Sequence, residues 1–392
     1  MSSDEVKVFA DLNGIGRERW DALLSPESTP FMRFAWLSAM ENSGCAAPRA
    51  GWKPRHLTVW RKGQLVAAAP AWAKDDSDGD FARDWDLASA SSGARLQYYP
   101  KLAMTVPFTP CTGERILVAP GEDRVELVQR ISAAARKVCS DERYATFQTL
   151  FPDEPGSREL EHAGLAPRVS FQFHWTNEGY KSMDDFLARF NSKRRHMLKR
   201  EMAAAAGQGV TIRTVRGEEL QRDPERWAKV AHGLHRNTVD KLMWGRRWLN
   251  EKFYLLAFAG MSDAMEVVIA EKEGEIIAGA FNVSSSTRLY GRYWGCYQEL
   301  PFLHFNVCYY HSIADCIARG LQVFEGGAGG EHKLARGFLP SLTYSAHAFL
   351  DPRLDRGLRE ALAAETPARE ENILRFSQES PIFKTRLPEA RS

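Results

Sequence analysis

The segment from Phe324 to Arg336 gathers side chains suited to proton and acyl chemistry. It reads Phe324-Glu325-Gly326-Gly327-Ala328-Gly329-Gly330-Glu331-His332-Lys333, with Arg336 three residues on. A histidine beside carboxylates can move protons near neutral pH. Lysine, arginine and tyrosine can stabilise an oxyanion or a leaving group. Just upstream, Arg292, His304, Tyr309 and His311 add the same residue types. A plain apolar core has no use for polar groups at this density, so they must be satisfied or must do chemistry.

These residues need elements to hold them. Leu289–Tyr297 reads as a strand whose alternation puts Tyr290, Arg292 and Trp294 on one face, with Gly291 and Gly295 among those on the other. Phe302–Arg319 reads as a helix after Pro301, ended by Gly320, and it carries His304, Asn306, Cys308, Tyr309 and His311. Leu321–Glu325 is the next strand, and the glycine loop leaves its end, where ligands sit in open sheets. Plain alternatives exist for each: a bulged aromatic strand, structural histidines, a solvated charge cluster.

Two further groups stand out. Lys193, Arg194, Arg195, Lys199 and Arg200 form a basic run mostly off the apolar face of a helix, followed by Trp244 and Arg246. Such runs are usually solvated, but basic and aromatic interleaving also suits phosphates and unstacked nucleotides. In the first half, prolines fix the backbone around Tyr99, Lys101 and Thr109, a pocket wall or a proline-rich edge strand.

Along the chain, each half shows helices, then a hairpin, then helix and strand. The hairpin turns are Lys62-Gly63 and Glu273-Gly274-Glu275. Turn clusters near 153–157 and 164–167 suggest two domains, 1–165 and 166–392, of mixed α/β (α+β) type, each with a mostly antiparallel sheet flanked by helices. Ser182 with Asp185 predicts a helix start, and one helical face running through Phe186, Phe190 and Leu198.

The 392 residues carry a net charge of +2, so no global field draws the chain to nucleic acid or membrane and any basic site is local. The six cysteines are scattered, which excludes a disulfide framework or zinc knuckle and fits a reducing, cytoplasmic setting. No secretory signal or membrane-length apolar run is evident. Walker, dinucleotide-binding, nucleophile-elbow and zinc-protease motifs are absent, and no metal is expected.

The segments Y-Y-P-K-L-A-M-T-V-P-F-T-P (98–110), Y-G-R-Y-W-G (290–295), P-F-L-H-F (301–305), C-Y-Y (308–310), G-E-H-K-L-A-R-G-F (330–338) and T-Y-S-A-H (343–347) resemble the Fem-like N-acyltransferases, also described as peptidoglycan biosynthesis/recognition proteins. The similarity runs over nearly the whole chain. It implies two GNAT-like acyltransferase folds in tandem, with Leu289–Tyr297 as the splayed central strand and Phe302–Arg319 as the helix facing the donor. Asn306, His311 and Gly329 depart from the family's usual Glu, Gln and Gln.

The resulting expectation is amide formation from an activated acyl or aminoacyl donor and a small-molecule or peptide amine. His332, Glu331 and His304 are candidates for proton transfer, and Tyr309, Arg292 and Lys333 for the oxyanion or leaving group. Tyr99, Lys101, Thr109, Tyr290, Trp294, Asn306, His311, Glu325 and Arg336 are candidate substrate contacts. The loop Tyr297–Pro301 lacks the glycines that cradle a coenzyme A pyrophosphate, so aminoacyl-tRNA is the favoured co-substrate, with the basic helix and Trp244 region as its contacts. Acyl-CoA or a carrier-protein thioester is the alternative donor, with no tightly bound cofactor in either case. A non-catalytic module binding cell-wall fragments or lipid head groups is the remaining reading.

Overall fold

Both hairpin signals are realised as the same turn. Lys62 and Gly63 have φ of 50° and 79°, Glu273 and Gly274 have 54° and 84°. Two successive left-handed residues match the twist of the strands they join. The computed structural model describes residues 4–241, 243, 245–378, 382 and 383. The chain forms two units: Met1–Ser170 with Leu342–Glu370, and Phe171–Ser341 with Glu371–Ser392.

In the first unit, Glu5–Phe9, His56–Arg61, Gln64–Ala69 and Leu117–Val118 form one antiparallel sheet. Lys53–Pro54, Ala71–Lys74, Lys101–Met104, Thr146–Leu150 and residues 345–349 pair in that order in another. Its one parallel pair joins Lys101–Met104 to Thr146–Leu150. The helix between them, Arg124–Glu142, buries Leu127, Val128, Ile131, Ala135 and Val138, the face its periodicity predicts. Asp123 caps it by accepting from the Glu126 N–H. Burying each of its larger aliphatic side chains is worth roughly 1.5–3 kcal/mol.

The second unit repeats the plan. Thr211–Arg216, Met265–Lys272, Glu275–Ser284 and Arg288–Cys296 form an antiparallel run. Val323–Glu325 then pairs parallel to Arg288–Cys296 and antiparallel to residues 174–176. The crossover is helical but not one helix: Leu303–Phe305, one π-helical turn Asn306–Tyr310, then His311–Arg319. Inserted π turns recur at functional sites. The long helix expected after Ser182 is also divided, into Met183–Ala188 and Ser192–Gly207. Ser182 caps the first by accepting from the Asp185 N–H, and Asn191 starts the second by accepting from the Arg194 N–H. A side-chain cap competes with helix continuation, which explains the break. Among the described residues no helix is long and apolar enough to cross a membrane.

Helix Pro224–Val239 lies directly on the central strand at Gly295. A Cβ there would sit 1.8 Å from the Leu234 carbonyl oxygen and 2.4 Å from its carbon. Backbone cannot yield as a side-chain tip can. Gly295→Ala should therefore destabilise the protein by about 1–3 kcal/mol, read from denaturant unfolding; an unchanged midpoint would contradict this packing.

Candidate active site

The central strand of the second unit is paired on one side along most of its length, but its parallel ladder lasts only three residues. Arg288, Leu289 and Tyr290 face Val323, Phe324 and Glu325, and then the two strands part. At the parting the central strand also bulges. Phe281 opposes Tyr293 while Asn282 opposes Gly291, so Arg292 is the extra residue. An inserted residue is left out of the ladder and bends its strand. It also breaks the strict alternation that the sequence suggests for this strand.

A cavity of about 80 Å³ opens there. Its walls include Asn282, Arg292 and Trp294 from the sheet, His304 and Tyr309 from the crossover helices, and Phe324 and Gly326 from the partner strand. His304 packs against Trp294 and Tyr309, with ring centres 4.9 and 5.4 Å away. Burial, assisted by His332, Arg336 and Lys333, brings His304 down to about 4 and keeps it neutral near pH 7. His332 is exposed and its Nε2 lies 3.0 Å from the Tyr309 hydroxyl. Desolvation and the Lys333 and Arg336 cations hold His332 below its ordinary value. Burial drives the Tyr309 hydroxyl up, so it stays protonated. The Cys308 thiol, also lining the cavity, is pushed up by burial and is a neutral wall rather than a thiolate.

The glycine loop is tied down from beneath. Lys333 is 3% exposed and donates to the carbonyls of Gly327 and Gly329, at 2.6 and 2.7 Å. Gly327, Gly329 and Gly330 all have positive φ, between 74° and 91°, which a side chain would strain. The residues after them, Glu331–Arg336, form a short 3₁₀ helix. Arg336 lies over the Phe305 ring at 3.3 Å, donates to the His332 carbonyl and pairs with buried Glu201 at 2.8 Å. Glu201 also accepts from the Tyr310 hydroxyl. Helix Ser192–Gly207 is thereby fastened to the crossover helix and to the loop.

Of the candidates read from sequence, the structure gathers Arg292, Trp294, His304, Tyr309 and His332 at the cavity or in contact with its walls. Lys333 and Arg336 stand behind them as ties. Glu331 is exposed at the start of the short helix. Tyr290 and Glu325 are buried at the last rung of the ladder; Glu325 accepts from Arg288 at 3.1 Å and lies 3.8 Å from His174. Asn306 and His311 point elsewhere. The Asn306 amide donates to the carbonyls of Glu201 and Phe302, and His311 Nε2 meets the Thr214 hydroxyl at 2.8 Å. Lys199 pairs with Asp184, and Arg246 is exposed. Trp244 lies outside the described residues.

Tyr99, Lys101 and Thr109 belong to the first unit. Lys101 is fully buried, between Asp80 at 2.9 Å and Asp84 at 2.8 Å. Burial alone would lower it, but the two carboxylates prevail and raise it. Tyr99 shares a hydrogen bond with Ser77, and the Thr109 hydroxyl donates to the Pro107 carbonyl. The sequence reading missed Asn282 and Glu201. Asn282 was legible as a polar residue set in an apolar stretch, Ala-Phe-Asn-Val, whereas Glu201 directly follows the basic run at Lys199-Arg200 and carried no such signal. Among the described residues no cluster of His, Cys, Asp and Glu could hold a metal ion.

A sheet whose parallel neighbours splay beside a crossover helix, in a chain that uses the plan twice, defines a Fem-like protein of tandem GNAT fold, an acyltransferase architecture. The chain belongs to the FemAB-like family, described as peptidoglycan biosynthesis/recognition, whose family model matches residues 11–384. Among solved structures it is similar to FemX, with 11% identity over 91% of this chain and 100% of that one, at a TM-score of 0.52. It is also similar to the C-terminal domain of a putative lysylphosphatidylglycerol synthetase from Agrobacterium fabrum, with 12% identity, 91% and 96% coverage and a TM-score of 0.53. At these identities the likeness is one of fold. No curated protein matches the chain by sequence.

Two predictions follow from the buried cations. Lys101→Met leaves Asp80 and Asp84 buried without their cation and should cost about 3–5 kcal/mol; a melt within 0.5 kcal/mol of wild type would contradict the pairing. Burial brings Lys333 from 10.5 down to about 8. Between those values the unfolded chain binds the proton more tightly, so stability rises with pH there and the penalty is complete below 8. The stability of wild type relative to Lys333→Met should therefore grow from pH 8 to 10.5 in denaturant unfolding at fixed ionic strength. A flat difference would rule this out.

Proposed function

We propose that the cavity in the second unit forms an amide between a primary amine and an activated acyl or aminoacyl group. The observation that carries this reading is the parting of the strands at a bulge, beside a neutral histidine and a Tyr309–His332 pair. The amine nitrogen attacks the donor carbonyl carbon, and the C–N bond forms as the oxygen takes up negative charge. Arg292 lies in the cavity wall, and its guanidinium adds positive field toward that oxygen. His332 takes the proton the amine loses. The carbonyl re-forms, the bond to the carrier breaks, and the carrier oxygen leaves with the electron pair and a proton from the Tyr309 hydroxyl. His332 returns a proton to Tyr309, so the cycle balances. Lys333 and Arg336 act by positioning the loop that carries His332.

The favoured donor is aminoacyl-tRNA. Lys193, Arg194, Arg195 and Arg200 make no ion pair among the described residues. Their helix is the one fastened to the site through Glu201, so its cations are available to phosphates near the cavity. The loop before the crossover helix is a poor pyrophosphate cradle. Leu303 N–H already donates to the Leu300 carbonyl, and the Glu299 carboxylate stands nearby, paired with Lys241. One observation favours the thioester alternative: no residue lining the cavity is acidic, so an α-ammonium finds no counter-charge there.

Charged tRNA should bind the protein in a filter assay and transfer its aminoacyl group to an amine. Each of Lys193→Ala, Arg194→Ala and Arg195→Ala should lower the salt slope of binding by about one unit. No binding at low salt, with transfer from a thioester instead, would overturn the tRNA donor. Failure of both donors with every amine would overturn the transferase reading.

A further inference from the structure

We infer that Glu201 is a positioning residue: it holds the π turn Asn306–Tyr310 in the register that aims Tyr309 at His332. The inference rests on the amide-forming reading, in which those two side chains exchange the proton.

The π turn needs something to hold it. Its closing bond runs from the His311 N–H back to the Asn306 carbonyl, one residue further than an α-helix spans. Nothing in Asn-Val-Cys-Tyr-Tyr prefers the wider turn. A return to α would rotate one side of the turn against the other by about 100°. The far side is fixed to the sheet. His311 meets the Thr214 hydroxyl at 2.8 Å, and Arg319 donates to Glu266 at 2.6 Å. The near side is fixed to Glu201, whose carbonyl accepts from the Asn306 amide at 2.8 Å. With Asn306 and His311 each held by a different element, a change of register must break one set of bonds.

The Glu201 side chain completes the hold. Its Oε2 accepts from the Tyr310 hydroxyl at the end of the turn and from Arg336 at 2.8 Å. Arg336 in turn donates to the His332 carbonyl. Tyr309 precedes Tyr310 in the chain. Both partners of the 3.0 Å contact between the Tyr309 hydroxyl and His332 Nε2 are therefore set from one carboxylate oxygen. Glu201 is buried and is not part of the cavity wall. It acts on the reaction only through these groups.

The test reads the pair directly, in the whole protein with heavy nitrogen in its ten histidines. The His332 ring signal is assigned by its loss in His332→Gln, and Tyr309→Phe shows where it lies without the hydroxyl. Glu201→Ala should move it toward the Tyr309→Phe position. Tyr310→Phe removes only one hydroxyl and leaves the Arg336 pair, so it keeps the test open should Glu201→Ala fail to fold; it should move the signal the same way. Glu201→Gln keeps an acceptor oxygen for both donors and should hold the signal near its wild-type place. A kinetic arm uses alanyl-tRNA or acetyl coenzyme A with hydroxylamine, and the hydroxamate is measured by mass spectrometry. Glu201→Ala should lower kcat by about tenfold with KM for the amine unchanged, and Glu201→Gln should restore most of the loss. Added to Tyr309→Phe, Glu201→Ala should cost nothing further, because the pair it serves is already broken. A merely structural glutamate would multiply its loss onto that of Tyr309→Phe. Multiplied losses, or a His332 signal unmoved in Tyr310→Phe, overturn this inference and leave the amide-forming reading standing. No hydroxamate from either donor with the wild-type protein overturns that reading, and the His332 signal still decides what Glu201 holds.

Discussion

A sheet pays heavily for backbone left out of its ladder, and the second unit does so at its centre. The strands Arg288–Cys296 and Val323–Glu325 share three rungs and separate. Local propensity contributes, since Gly291 and Gly326, just past the last rung, are poor strand formers. What keeps the gap open is packing on either flank. Phe324 and Phe338 meet edge to face at 5.3 Å, Phe338 meets Tyr309 at 5.2 Å, and Lys333 holds the carbonyls that follow Glu325. The strand end is thus bound to its own loop and to the crossover helix instead of to its neighbour. Every feature of the site depends on that exchange.

The two units show how one plan serves two ends. Among the described residues each contains a parallel pair bridged by helix. In the first, four rungs run unbroken from Lys101↔Thr146 to Met104↔Thr149. Lys101 pairs with Asp80 and Asp84, and Gln148 and Tyr98 donate to the same Asp84 oxygen, Oδ2, that meets the lysine. A buried lysine so enclosed specifies a packing and offers nothing to a ligand. In the second unit the comparable lysine, Lys333, meets only neutral carbonyls, which is why burial depresses it while Lys101 is raised.

Much of this was legible in the sequence because it rests on local signals. The two hairpins, the Arg124–Glu142 helix face and the caps at Asp123 and Ser182 need only turn residues and periodicity. The gathering of His304, Tyr309 and His332 was legible because strand, helix and glycine loop are successive elements. A bulge in the central strand was the plain alternative read there, but its position at Arg292 was not legible, since it depends on register with Glu275–Ser284. The π turn escaped for the same reason: its residues suit an α-helix equally well. Asn306 and His311 look chemical in a linear reading. Their partners Glu201 and Thr214 lie about a hundred residues away, beyond what spacing can indicate.

The electrostatics of the cavity resolve an apparent conflict. Burial, with Lys333 and Arg336 nearby, holds His304 and His332 below their ordinary values, and Arg292 stands in the same cavity wall. A weaker imidazole is a poorer base, so such a field would be wasteful around a simple proton acceptor. In the proposed reaction the same field favours an oxyanion at the bulge, and it acts more strongly there because the space is partly dry. His304, at about 4, contributes as a neutral wall beside Trp294 and Tyr309. His332 is exposed and bonded to a hydroxyl that burial keeps protonated. In the proposed reaction its place at the mouth, within reach of water, suits it to pass a proton. In that reaction the division of labour follows from depth: charge is stabilised inside the gap, and protons are exchanged at its mouth.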